Sequence, residues 1–142
     1  MIDSALKEEL TILVADRNPN VRTFLKRELT AAGYRIRLAE NGREVVKWVY
    51  HQAPLDLLIL DPDLPDLEAS AVLKKLKNRI PLLPIIVHTF LSDYENYANI
   101  TIRSAFVEKK GNSVEHLKQA VSEILGGVRQ QPKNGHTADR QE

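Results

Sequence analysis

Apolar and polar positions fall into blocks along this chain, and the period of the blocks switches in a regular order. TILVA (Thr11–Ala15) is an apolar run of strand length. The spacing then turns helical: Val21, Phe24, Leu25, Leu29 and Ala32 share one face, and Gly33 supplies the stop. YRIRLA (Tyr34–Ala39) alternates as a half-buried or edge strand does. Asn41-Gly42 can open a second helix, which carries Val45, Val46 and Val49 and ends near Pro54. LDLLIL (Leu55–Leu60) is nearly all apolar, the pattern of a central parallel strand covered on both faces. A third helix points Ala69, Val72, Leu73 and Leu76 inward, and Pro81 and Pro84 bound the loop before a fourth strand, PIIVHT (Pro84–Thr89). Ser92-Asp93-Tyr94-Glu95 is a capping box for a short fourth helix, and SAFVEK (Ser104–Lys109) is the fifth strand. Asn112-Ser113-Val114-Glu115 is a further box, opening a helix with Val114, Leu117, Val121, Ile124 and Leu125 on one face and Gly126-Gly127 at its end.

Five strands alternating with five helices predict an α/β fold, a doubly wound parallel sheet with helices on both faces. Residues 1–9 form an N-terminal extension, 10–126 a single domain, and 127–142 a polar, aperiodic tail or linker expected to be disordered. Composition changes this picture little. The chain has 142 residues, 43% hydrophobic and 27% charged, with a formal net charge of +1. That balance gives no general drive toward nucleic acid or acidic membranes. The lack of cysteine rules out disulfides and thiolate metal sites. No apolar run has the length of a membrane span, and MIDSALKEEL is unlike a signal peptide, so a cytoplasmic protein is expected.

In open parallel sheets, ligands gather at the carboxyl ends of the strands. Asp16 follows the first strand, Asp61 the third, Thr89 closes the fourth and Lys109 the fifth. Any of them alone is ordinary loop decoration, and Asp61-Pro62 alone is an ordinary turn. Together they bring two carboxylates, a hydroxyl and an ammonium to one sheet edge. A carboxylate can attack phosphorus to give an acyl phosphate. The negative phosphoryl group then needs cations and hydrogen-bond donors already in place, which Lys109 and Thr89 can supply.

From ILVADRNPNVR through LDLLILDPDLP and PIIVHT to AFVEKK, the sequence resembles the receiver domain of two-component response regulators. The resemblance implies a flavodoxin-like sheet of order 2-1-3-4-5. It also implies phosphoryl transfer to Asp61 from a histidine kinase or phosphotransfer protein, switching a face offered to a downstream protein partner. By the same resemblance, Asp16 and Asp61 hold Mg²⁺ with the backbone carbonyl of Asp63. Thr89 is the switch hydroxyl, Lys109 the phosphoryl-binding lysine, Phe106 the aromatic that repacks, and Pro65 the proline shaping the loop after the acceptor. Such a module is a phosphoacceptor rather than a dedicated enzyme. No output domain is evident, and neither direct nucleic-acid binding nor a membrane is expected.

The chain departs from the family pattern in its pocket. Arg17 stands where a second acid is usual, so Mg²⁺ binding is expected to be weakened. Arg17 either replaces part of the metal's charge, since its fork can pair with carboxylate or phosphate, or faces solvent. Phe90 replaces a small residue beside Thr89 and is able to screen the site. Lys110 replaces the proline after the lysine, so a cis bond there becomes costly and the loop is expected to run differently. Asp66 and Ala69 stand in place of loop glycines. Two rival readings follow. One is a degenerate receiver acting as a phosphorylation-independent interaction module. The other is a haloacid-dehalogenase-like phosphatase using Asp61-Pro62-Asp63, although its nucleophile strand usually comes early in the chain and a further acidic motif is missing here.

Other signals are weak. His51, His88, His116 and His136 lack metal-ligand spacing, and His88 fits a satisfied core histidine. Lys74, Lys75, Lys77 and Arg79 suit a solvated helix face, and Trp48 suits packing.

Overall fold

The computed structural model describes residues 10–51, 54–67, 70–90 and 105–130. Its strands are β1 (Thr11–Ala15), β2 (Arg35–Ala39), β3 (Leu57–Leu60), β4 (Ile85–Thr89) and β5 (Ala105–Glu108). The helices are α1 (Pro19–Ala31), α2 (Gly42–Val49), α3 (Ser70–Asn78) and α4 (Ser113–Gln130). The sheet is parallel throughout and ordered β2-β1-β3-β4-β5. This is the flavodoxin-like arrangement expected from the sequence, with four of the five expected helices among the described residues. The expected helix near Ser92–Glu95 and the inward-facing Ala69 lie outside them.

Strand pleating sorts the core into two layers. On β1, Leu13 and Ala15 face the layer that holds Val45 and Val49 of α2 and Val72 and Leu76 of α3. Ile12 and Val14 face the opposite layer, with Leu25 and Leu29 of α1 and Leu117, Val121 and Leu125 of α4. β3 is buried at all four positions, as a central strand covered on both faces must be.

Caps explain where the helices start. The Asn18 side chain accepts from Asn20 N–H at 2.8 Å and Val21 N–H at 3.4 Å, and Pro19 sits in the first turn, where its missing N–H costs nothing. Gly33 leaves α1 at a φ of 105°, a conformation favoured by glycine. Two expectations are corrected. Phe24 is 39% exposed and lies under the Arg27 guanidinium, because the buried stripe of α1 narrows to Leu25 and Leu29. α4 does not stop at Gly126-Gly127 but continues to Gln130. Two glycines weaken a helix by about 1 kcal/mol each without forbidding it.

Candidate functional site

Strand register builds the site. Ala15 pairs with Leu60, and Asp61 N–H donates to the Ala15 carbonyl at 2.8 Å, so Asp16 and Asp61 emerge side by side. Thr89 pairs with Glu108, and Lys109 N–H donates to the Thr89 carbonyl at 2.8 Å, which brings Lys109 to the same edge. The Lys109 Nζ lies 3.0 Å from Asp16 Oδ2 and 3.8 Å from Asp61 Oδ2. The four strand-end residues that the pattern selected therefore share one edge, and three of them form a charged cluster.

Asp61 is 1% exposed. Its Oδ1 accepts from Asp63 N–H at 2.9 Å and its Oδ2 from Arg17 N–H at 3.3 Å. Burial pushes its carboxyl pKa above the usual carboxylate range, and the Asp16 charge adds to that. The Asp63 N–H, Lys109 and the Arg17 N–H oppose the rise. Asp16 is also buried, and its Oδ1 accepts from Asn18 N–H at 2.9 Å. Arg22 reaches back from the first turn of α1 and donates to the Asp16 carbonyl at 2.8 Å.

Asn18 and Arg22 are site residues that sequence reasoning missed. The Asn-Pro pair before a helical stretch is a legible cap signal, and it could have marked Asn18. Nothing in the sequence marks Arg22, since its role depends on how α1 leaves the sheet.

Thr89 is 1% exposed, and its hydroxyl has no hydrogen-bond partner among the described residues. A buried orphan hydroxyl is uncommon and calls for an explanation. His88, one residue earlier, is only half satisfied. Its Nε2 lies 3.3 Å from Ser113 Oγ, while Nδ1 has no partner among the described residues. Burial, reinforced by Lys109, lowers its pKa to about 4. Phe106 is partly buried against the core layer of α2 and α3, opposite Val87.

The atypical residues resolve as follows. Arg17 is half exposed, yet it turns to the acids: Nη2 lies 3.4 Å from Asp63 Oδ2 and Nε 3.9 Å from Asp61 Oδ2. Phe90 is 48% exposed and stacks beside the Lys109 ammonium, 5.6 Å from ring centroid to nitrogen. Lys110 is half exposed and pairs with Glu108 at 3.6 Å rather than with the acids. The described residues hold one cis peptide, Ile80–Pro81, so Lys109–Lys110 is trans, and Lys109 still reaches the pocket. Asp66 uses its carboxylate to accept from Gly42 N–H and, at 3.1 Å, from Arg43 N–H, fastening the loop after Asp61 to the start of α2.

The oxygens of Asp16 and Asp61 are hard donors of the kind Mg²⁺ takes. The set is nevertheless short for a tightly held ion. Lys109 and the N–H of Asn18 engage both oxygens of Asp16, and a guanidinium stands where a third acid is needed. Among the described residues, no three His, Cys, Asp or Glu side chains group as a metal site.

An open parallel sheet with a buried carboxylate at its central strand end, flanked by a lysine and an orphan hydroxyl, is the architecture of a receiver. The chain belongs to the response regulator receiver domain family, whose model matches residues 12–122. It is 34% identical over 95 residues to the DNA-binding transcriptional regulator NtrC of Escherichia coli K12. That match covers 67% of this chain and 20% of the relative, so the chain spans a small part of that protein's length. Among solved structures it is similar to the response regulator TrrA of Thermotoga maritima in complex with Mg²⁺-BeF. The identity is 33% and the TM-score 0.70, covering 81% of this chain and 98% of that one. A second similar structure is the histidine kinase ThkA in complex with TrrA, at 34% identity and TM-score 0.70, covering 82% of this chain and 98% of that one. No helix among the described residues is long and apolar enough to cross a membrane.

Proposed function

We propose that this receiver accepts a phosphoryl group on Asp61 from a histidine kinase or phosphotransfer protein, and that the modification changes the face it offers to a downstream protein. The observation that carries the reading is the buried Asp61 carboxylate, with Lys109 Nζ 3.8 Å from its Oδ2 and the unpartnered Thr89 hydroxyl ending the adjacent strand.

The chemistry balances without a proton. A carboxylate oxygen of Asp61 forms a bond to phosphorus while the donor's bond to phosphorus breaks, and the electron pair leaves with the donor. Lys109 neutralises charge on the phosphoryl oxygens, and the Asp63 and Arg17 N–H groups steady the carboxylate for attack. The Thr89 hydroxyl gains the acceptor it lacks when it donates to a phosphoryl oxygen. Its movement draws on β4, whose Val87 lies opposite Phe106 of β5, so repacking of Phe106 carries the change to the surface. Asp16, Asp61 and the Asp63 carbonyl are the oxygens that Mg²⁺ would use, and no step here depends on it.

The test is intact-protein mass after incubation with acetyl phosphate, for the native chain and for Asp61→Asn. An adduct that forms on the first and not on the second is the expected result. No adduct with acetyl phosphate or with a phosphorylated kinase would move the function to a phosphorylation-independent interaction module.

A further inference from the structure

We infer that Arg17 is a second resident cation of the pocket beside Lys109. In this inference, which rests on the phosphoacceptor reading, its guanidinium supplies part of the positive charge a divalent ion would bring to Asp61 and Asp63 and then pairs with the phosphoryl group on Asp61.

Arg17 is anchored by its own N–H to Asp61 Oδ2 at 3.3 Å, so the root of the side chain cannot drift from the acids. From there the guanidinium reaches both neighbours, with Nη2 3.4 Å from Asp63 and Nε 3.9 Å from Asp61. The charge count agrees. Asp16, Asp61 and Asp63 contribute −3, and Arg17 and Lys109 contribute +2, leaving −1. An acid at position 17 would leave −3, a far stronger pull on a divalent cation. Arg17 thus weakens the pocket's hold on a metal.

The same geometry suits a new acceptor. The Arg17 side chain is 52% exposed and lies 3.4 Å from Asp63 and 3.9 Å from Asp61, so oxygens attached to Asp61 would fall beside its fork. A guanidinium pairs with two phosphoryl oxygens at once, which a lysine at this position cannot do. Phe90 stacks on Lys109, 5.6 Å from ring centroid to nitrogen. Arg17 is therefore a specificity-determining residue: it makes the pocket receptive to a phosphoryl anion without a divalent cation.

The test has two arms on the full chain. In the first, MgCl2 alone is titrated into the native protein, Arg17→Asp and Arg17→Gln, and heat of binding and thermal shift are read. Arg17→Asp should bind Mg²⁺ roughly tenfold or more tightly than the native chain, with Arg17→Gln between them. Equal affinities in native and Arg17→Asp proteins would overturn the inference. In the second arm, acetyl phosphate is added in excess EDTA and adduct is read by intact mass. The native chain should be modified and Arg17→Gln much less so. Modification of the native chain only when Mg²⁺ is present would also overturn it. Failure of every variant to form adduct, with or without Mg²⁺, would sink the phosphoacceptor reading, and the metal titration would still decide whether Arg17 offsets the charge that would draw a divalent ion.

Discussion

Asp61 is the residue whose placement is costly to the fold. It is removed from water beside a second acid, and burial raises its pKa. A carboxyl that is harder to ionise in the folded state than in the unfolded chain opposes folding once both states are ionised. Below the unfolded value of 3.8 both states carry the proton and that opposition vanishes. Asp61→Asn in metal-free buffer should therefore raise the melting temperature near neutral pH, with the gain shrinking as pH falls toward the unfolded value. Thermal melts of the two proteins across that range check it. A site residue whose removal stabilises the fold is held for function rather than for packing.

At the scale of elements, the loop after Asp61 is tied to α2 by an unusually complete cap. Asp66 accepts from Gly42 and Arg43, and Asn41 accepts from Glu44 at 2.8 Å, so three consecutive N-terminal donors find side-chain acceptors. Gly42 is required for this approach. A Cβ there would lie 2.8 Å from Asp66 Oδ1 and 3.2 Å from Val72 Cγ2. Asp66→Ala should cost roughly 1 to 2 kcal/mol, the usual range for losing a cap, and Gly42→Ala should cost about as much or more by pushing Asp66 away. Urea melts of the single variants and the double variant check both. If the two act through the same contact, the double variant will lose less than the sum.

At the scale of the whole molecule, His88 links the sheet to α4 through Ser113 and contributes to the protein's response to acid. Its pKa falls from 6.5 to about 4 on folding. The folded state resists the proton that the unfolded chain accepts, so His88 supports the fold fully above pH 6.5 and loses that support as pH falls toward 4. The shift amounts to about 3 kcal/mol at most. Asp61 works in the opposite sense, since its protonation relieves the folded state as pH falls. His88→Leu should therefore flatten the fall in stability between neutral pH and about 4, checked by urea midpoints at a series of pH values. An unchanged slope would shift the acid sensitivity to other groups.

The chain's periods determined the sheet, because a strand covered on both faces can be built only from a run such as LLIL, and because strands alternating with helices must lie parallel. The same periods set Asp16, Asp61, Thr89 and Lys109 at successive strand ends, since register then brings those ends to one edge. Several features only tertiary structure could decide. Arg17 and Phe90 were legible as departures but not as directions, because a long or aromatic side chain has several rotamers and its choice falls to partners distant in the chain. For Arg17 the partners are Asp61 and Asp63, and for Phe90 the partner is Lys109. Asp66, noted as a replacement for glycine, proved to be a cap for a helix that starts well before it in the sequence. Gly126-Gly127 marks a stop by local propensity, yet α4 continues through it. Local propensity is worth about 1 kcal/mol per residue, and the packing of Leu117, Val121 and Leu125 in the preceding turns outweighs it.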